Sequence, residues 1–161
     1  MKFGKKIDSV DKNLEDFIKE LMKPREELSG HAICPHLKIY SKHIQYAQVE
    51  TIQDVIDNNP YVISKMDDEG SSFIYIIKQE VTYDEIINLW KTEQKKYRNN
   101  DIEFLFMLKD DKTIPPLKVI KNYSYKHDTL FILQRNSTLK KARNELAKNT
   151  NYYDYWSRKN D

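Results

Sequence analysis

The chain has one cysteine, Cys34, three glycines and five prolines among 161 residues. A single cysteine cannot close an internal disulfide, so packing must hold the fold and no oxidising compartment is required. Glycines at 4, 30 and 70 alone leave no phosphate-binding loop and no dinucleotide-binding fingerprint. The scarcity of glycine and proline also argues against collagen-like, disordered or linker-rich chains. No apolar run approaches the roughly 20 residues that span a bilayer. Met1-Lys-Phe-Gly-Lys-Lys6 is positively charged but has no apolar stretch behind it. It does not read as a signal peptide, and a soluble cytoplasmic protein is expected. Charge of one sign is lacking too: 27 basic against 25 acidic residues give +2, which argues against nucleic acid or a membrane surface as partner.

What remains is a chain long enough to bury a proper core as one domain over residues 1–161. Ser9 is placed to cap a helix with Val10, Leu14, Phe17, Ile18, Leu21 and Met22 at three- and four-residue intervals. Pro24 interrupts it and opens a short turn that Gly30 ends, so residues 1–29 read as an N-terminal helical layer. Residues 44–50 read as a strand, with Ile44 and Tyr46 on one side and Ala47 and Val49 on the other. Thr51 and Asp54 form a capping box for a helix whose buried stripe is Ile52, Val55 and Ile56, and Pro60 is expected to stop it.

Residues 72–79 are apolar on both faces, as a central strand requires. Thr82 and Glu85 open a second capped helix, carrying Ile86, Leu89, Trp90 and Tyr97. Residues 101–108 and 129–135 are further strands, and Val119 and Ile120 suggest a short edge strand after the Pro115-Pro116 pair. Asn136 or Ser137 is expected to cap a last helix with Leu139, Ala142, Arg143 and Leu146. Strands separated by helices of this length imply crossover units. The expected fold is α+β: one four- or five-stranded sheet with helices packed on it, ferredoxin-like or related, preceded by an N-terminal helix.

Chemistry concentrates in Gly30-His-Ala-Ile-Cys-Pro-His-Leu-Lys-Ile-Tyr-Ser-Lys-His43, which holds the cysteine and three of the four histidines. If Pro35 begins a helical turn, Cys34 is its N-cap, where free N–H groups and nearby His36 favour a thiolate. That is the pattern of a nucleophilic or redox thiol, with His31 as a further aid. The bland alternative is a buried free cysteine, the commoner fate of a lone one. His31, Cys34, His36 and His43 also form a ligand set that a transition metal such as zinc or iron accepts. Their spacing matches no standard finger or zincin pattern, and a carboxylate such as Glu50 or Asp54 would have to complete a catalytic site.

Arg135, ending a strand, is the candidate to receive the anionic group of a small-molecule substrate, or else to pair with Asp128. His127, Lys118, Lys140, Lys141 and Arg143 with Tyr123 and Tyr125 make the last third locally basic, but a solvated face explains this better than a single-stranded nucleic-acid groove. The tail over residues 150–161 gathers Tyr152, Tyr153, Tyr155 and Trp156. Such a cluster docks on its own core or, if exposed, anchors a protein partner or a second copy of the chain.

Two stretches, Ile33-Cys34-Pro35-His36-Leu37 and Thr129-Leu-Phe-Ile-Leu-Gln-Arg135 followed by Ser137-Thr-Leu-Lys-Lys-Ala142, carry a resemblance. The chain resembles a group of small bacterial proteins of unknown function with an N-terminal Leu-Cys-Pro-Phe-Ala segment and a C-terminal Pro-x-Leu-His-Leu-Leu-Arg-Glu segment. His36 replaces the family's Phe, Phe131 its His, and Gln134-Arg135 its Arg-Glu. The resemblance implies no activity; it implies that Cys34 and the Arg135 strand end face one cleft. The sequence thus yields two functional readings: an enzyme built on Cys34, His36 and Arg135, or a non-catalytic module binding through its C-terminal aromatics and a sheet edge.

Overall fold

In the computed structural model, which describes residues 5–6, 12–26, 30–32, 44–66, 72–109 and 128–153, the strands form one mixed sheet. The strands are β1 (Lys5–Lys6), β2 (Ile44–Val49), β3 (Ser72–Ile77), β4 (Ile102–Met107) and β5 (Thr129–Arg135). The helices among the described residues are α1 (Lys12–Met22), α2 (Ile52–Lys65), α3 (Tyr83–Lys96) and α4 (Asn136–Asn149). The sheet order is β1-β2-β3-β5-β4. β2 and β3 are parallel neighbours joined through α2, whereas β5 lies antiparallel between β3 and β4. Among the described residues the elements after β1 and α1 run βαβαββα, an order that does not match the βαββαβ of a ferredoxin-like sheet. The arrangement is an α+β sheet with helices packed on it.

The doubly apolar pattern of residues 72–77 arises because β3 is central and covered on both sides. Phe73, Tyr75 and Ile77 join Val55, Val62 and Ile63 of α2 and Ile86 and Leu89 of α3 in one core. Ile74 and Ile76 face the other way, meeting Phe17, Ile18 and Leu21 of α1 with Ile44, Tyr46 and Leu130. The N-terminal helix therefore closes the second face of the sheet.

Pro60 does not end α2, as its chemistry predicts; the helix runs on to Lys65. Proline in a helix interior costs about 3 kcal/mol. The turn beyond it buries Val62 and Ile63, each contributing roughly 1.5–3 kcal/mol, and Pro60 itself faces solvent. Burial wins, and the helix finishes with Met66 N–H donating to the Val62 carbonyl at 3.1 Å. The start of α2 is as expected: Asp54 accepts from the Thr51 N–H at 3.0 Å and the Thr51 hydroxyl accepts from the Asp54 N–H at 3.3 Å. These bonds, the Thr51 backbone one foremost, hold the Asp54 carboxyl below its usual value. Asp54 is thus committed to the helix start, where it also accepts from the Glu50 N–H.

The outer edge of β4 is guarded from α3. Trp90 Nε1–H donates to the Phe104 carbonyl at 2.7 Å, Gln94 Nε2–H donates to the Ile102 carbonyl at 2.9 Å, and Phe104 N–H donates to Gln94 Oε1 at 2.9 Å. Unpaired groups on an edge strand template association with other chains. Gln94→Ala is expected to cost about 1–2 kcal/mol and to raise self-association, read by denaturant unfolding and light scattering. An unchanged midpoint and a monodisperse variant would refute the guarding role. The expected Val119–Ile120 strand lies outside the described residues.

Candidate functional site

The register pairs Ile44 with Ser72, Ser72 with Gln134, and Ile102 with Arg135, so these residues share one end of the sheet. Ile44, which follows the Gly30–His43 stretch in sequence, stands at that end. Of this stretch, residues 30–32 are described; Cys34, His36 and His43 lie outside the described residues, as does His127.

Gly30 has φ +85°, the left-handed conformation that suits glycine, and its N–H donates to the Arg25 carbonyl at 2.8 Å. The Arg25 N–H in turn donates to the His31 carbonyl at 3.1 Å, so this closed turn delivers His31. The His31 ring is held from the far end of the chain. Its Nε2 lies 2.9 Å from Asn151 Oδ1, and its edge meets Tyr152 with ring centroids 5.8 Å apart at 80°. Tyr152 is buried and stacks edge-on with Tyr153 at 5.1 Å. Asn151 follows Thr150, the C-cap of α4, whose hydroxyl donates to the Leu146 carbonyl at 2.7 Å and accepts from Tyr152 N–H at 3.2 Å. An amide oxygen only accepts, so this bond requires a proton on Nε2, and in the Nε2–H tautomer Nδ1 keeps its lone pair.

Arg135 is built into the scaffold at this end. It donates from Nη2 to the Met66 carbonyl at 2.9 Å and from Nη1 to the Asn100 carbonyl at 3.2 Å. Met66 is the C-cap of α2 and Asn100 follows the end of α3, so one guanidinium ties two helix ends whose dipoles favour a cation. The expected alternative pairing with Asp128 does not form. Asp128 precedes β5 at its opposite end, about 20 Å away at strand spacing, where it pairs with Lys78 at 2.7 Å.

Asp101 supplies the cap of α4 that neither Asn136 nor Ser137 provides. Its carboxylate accepts from Ser137 N–H at 2.9 Å and Ser137 Oγ–H at 2.6 Å, and its carbonyl accepts from Asn136 N–H at 2.9 Å. Arg135 at the N-cap position contributes no side-chain cap. The Ser137 bonds, helped by Arg135 and Lys140, hold the Asp101 carboxyl below its usual value. The Asp101 carboxylate is thus within electrostatic reach of Arg135.

Sequence reasoning did not find a second polar group, inside the α2–α3 core. Asn59 donates from Nδ2 to Glu93 Oε1 at 3.1 Å, with Tyr75 and Tyr97 buried around them. Asn59 sits at helical spacing from Val55, Val62 and Ile63, and Glu93 at such spacing from Ile86, Leu89 and Tyr97, so a polar residue on an apolar stripe was the available signal.

Among the described residues, no three His, Cys, Asp or Glu side chains gather into a metal-binding group, and no helix is long and apolar enough to cross a membrane. No protein-family model, curated protein or solved structure matches the chain.

Proposed function

We propose that this protein is an enzyme whose reactive group is the Cys34 thiol, with His31 as its base and Asn151 as the side chain that orients His31. The observation supporting this is the 2.9 Å bond between His31 Nε2 and Asn151 Oδ1, which frees Nδ1 to accept a proton. A thiol, an imidazole and an amide that fixes the imidazole form a recurrent device for activating cysteine. His31 precedes Cys34 by three residues. In the proposed step, Sγ attacks an electrophilic carbonyl carbon while the thiol proton passes to His31 Nδ1. The proton then leaves with the departing group, and water releases the acyl group from sulfur. The reaction class is acyl transfer.

His31 takes the role first expected of His36 because an orienting partner supports it. Arg135 is left out of this site, since two of its donors serve the Met66 and Asn100 carbonyls. The resemblance to the small bacterial family adds no activity to the reading. The interaction-module reading is weaker: Tyr152 is docked, and the β4 edge is guarded by Trp90 and Gln94.

At pH 6.5 an ordinary thiol is about 1% ionised. Alkylation of Cys34 by iodoacetamide at that pH is expected to slow by roughly tenfold or more in His31→Gln. Asn151→Ala should lose part of this, and His36→Gln should react as the wild type does. Equal rates in wild type and His31→Gln would defeat the proposal. Stoichiometric zinc or iron in the purified protein would move the same histidine from base to metal ligand.

A further inference from the structure

The polar group between α2, α3 and β3 serves neither the proposed thiol chemistry nor any helix cap. Its members are deeply buried: Asn59 and Tyr75 are 0% exposed, Glu93 1% and Tyr97 8%. Asn59 and Glu93 are joined by their 3.1 Å bond. Tyr97 lies one helical turn beyond Glu93 on the same side of α3, its N–H donating to the Glu93 carbonyl at 3.0 Å. Tyr75 is on the α2–α3 side of the central strand. Burial pushes its phenol well above the usual value, with smaller contributions from Tyr97 and Glu93, which places all three within electrostatic reach.

Among the described residues, four oxygens in this group have no hydrogen-bond partner: Glu93 Oε2, Asn59 Oδ1 and the hydroxyls of Tyr75 and Tyr97. Buried polar atoms are almost always paired, so this concentration calls for a guest. The amide oxygen and a carboxylate oxygen accept, whereas the two phenols can donate. A guest with two donors and two acceptors matches them. We propose that Asn59, Glu93, Tyr75 and Tyr97 form an internal water site, in which bound water accepts from the two phenols and donates to the Glu93 and Asn59 oxygens. A metal cation is a poorer match, because it would occupy oxygen lone pairs and leave the phenol protons without acceptors. The water would join both crossover helices to the middle strand of the sheet.

The test is thermal unfolding of Tyr75→Phe, Tyr97→Phe and the double variant, each change removing one hydroxyl and keeping the ring. A water-bridged network predicts that each single variant melts roughly 3 °C or more below wild type. It also predicts that the double variant loses less than the sum of the two, since both act through the same water. Melting temperatures should be equal in potassium chloride and choline chloride at one ionic strength. Single variants that melt at or above the wild-type temperature would overturn the site, because removing an orphaned hydroxyl relieves a burial penalty. A melting temperature specifically raised by potassium and insensitive to it in Glu93→Gln would also overturn it, assigning the guest as a cation.

Discussion

Phe131→Ala should destabilise the fold by about 3–5 kcal/mol, the usual range for deleting a buried phenylalanine ring. Phe131 is 0% exposed, and on β5 it stands between Tyr75 of β3 and Phe106 of β4. Its ring lies 5.4 Å from that of Phe104, which in turn meets Tyr97 at 6.0 Å. The surrounding wall consists of strands fixed by their ladders and helices fixed by capping boxes, so collapse into the space is restricted. The loss reads as a lower urea midpoint with an unchanged slope. Phe131→Leu, which keeps most of the volume, should lose much less. A loss under about 1 kcal/mol in Phe131→Ala would mean that this core is not packed as described.

Asp101→Ala carries the second large effect, about 2–3 kcal/mol. Losing the cap of α4 costs about 1–2 kcal/mol. Asp101 also has φ +55°, a conformation that aspartate tolerates and that costs alanine roughly another 1 kcal/mol. Asp101→Gly removes the cap without the strain and should fall between alanine and wild type. Equal losses for alanine and glycine would contradict the strain component. The same residue sets a pH dependence. Its folded value lies below the ordinary 3.8, so its contribution is complete above that pH and declines as pH falls through the folded value. Asp54, lowered chiefly by the Thr51 N–H, acts in the same direction. Wild type should therefore lose stability on acidification below about pH 4, and Asp101→Asn should lose less.

The capped helices and the central strand were legible because their determinants are local. Thr51 with Asp54, Thr82 with Glu85, and the unbroken apolar run at 73–77 each carry their signal within a few residues. Pro60 misled because its penalty is local, whereas the burial of Val62 and Ile63 that outweighs it is tertiary. The cap of α4 could not be read from residues 135–137, since the capping acceptor is Asp101, 36 residues upstream. Arg135 stood out in sequence as an arginine ending a strand; the partners it meets include carbonyls at two helix ends, which no side-chain pattern advertises. His31 was visible as a histidine near Cys34. Its orienting partner, Asn151, is 120 residues away and chemically unremarkable in sequence.

The proposed activity turns on whether the Cys34 thiol is ionised by a neighbouring base. The direct measurement is its alkylation rate in the native wild-type protein from pH 5 to 10, repeated with His31→Gln. The account predicts a wild-type profile whose midpoint falls well below the ~8.5 of a free cysteine, returning toward that value in the variant. A wild-type midpoint at or above ~8.5, or a thiol that reacts only after unfolding, would contradict it.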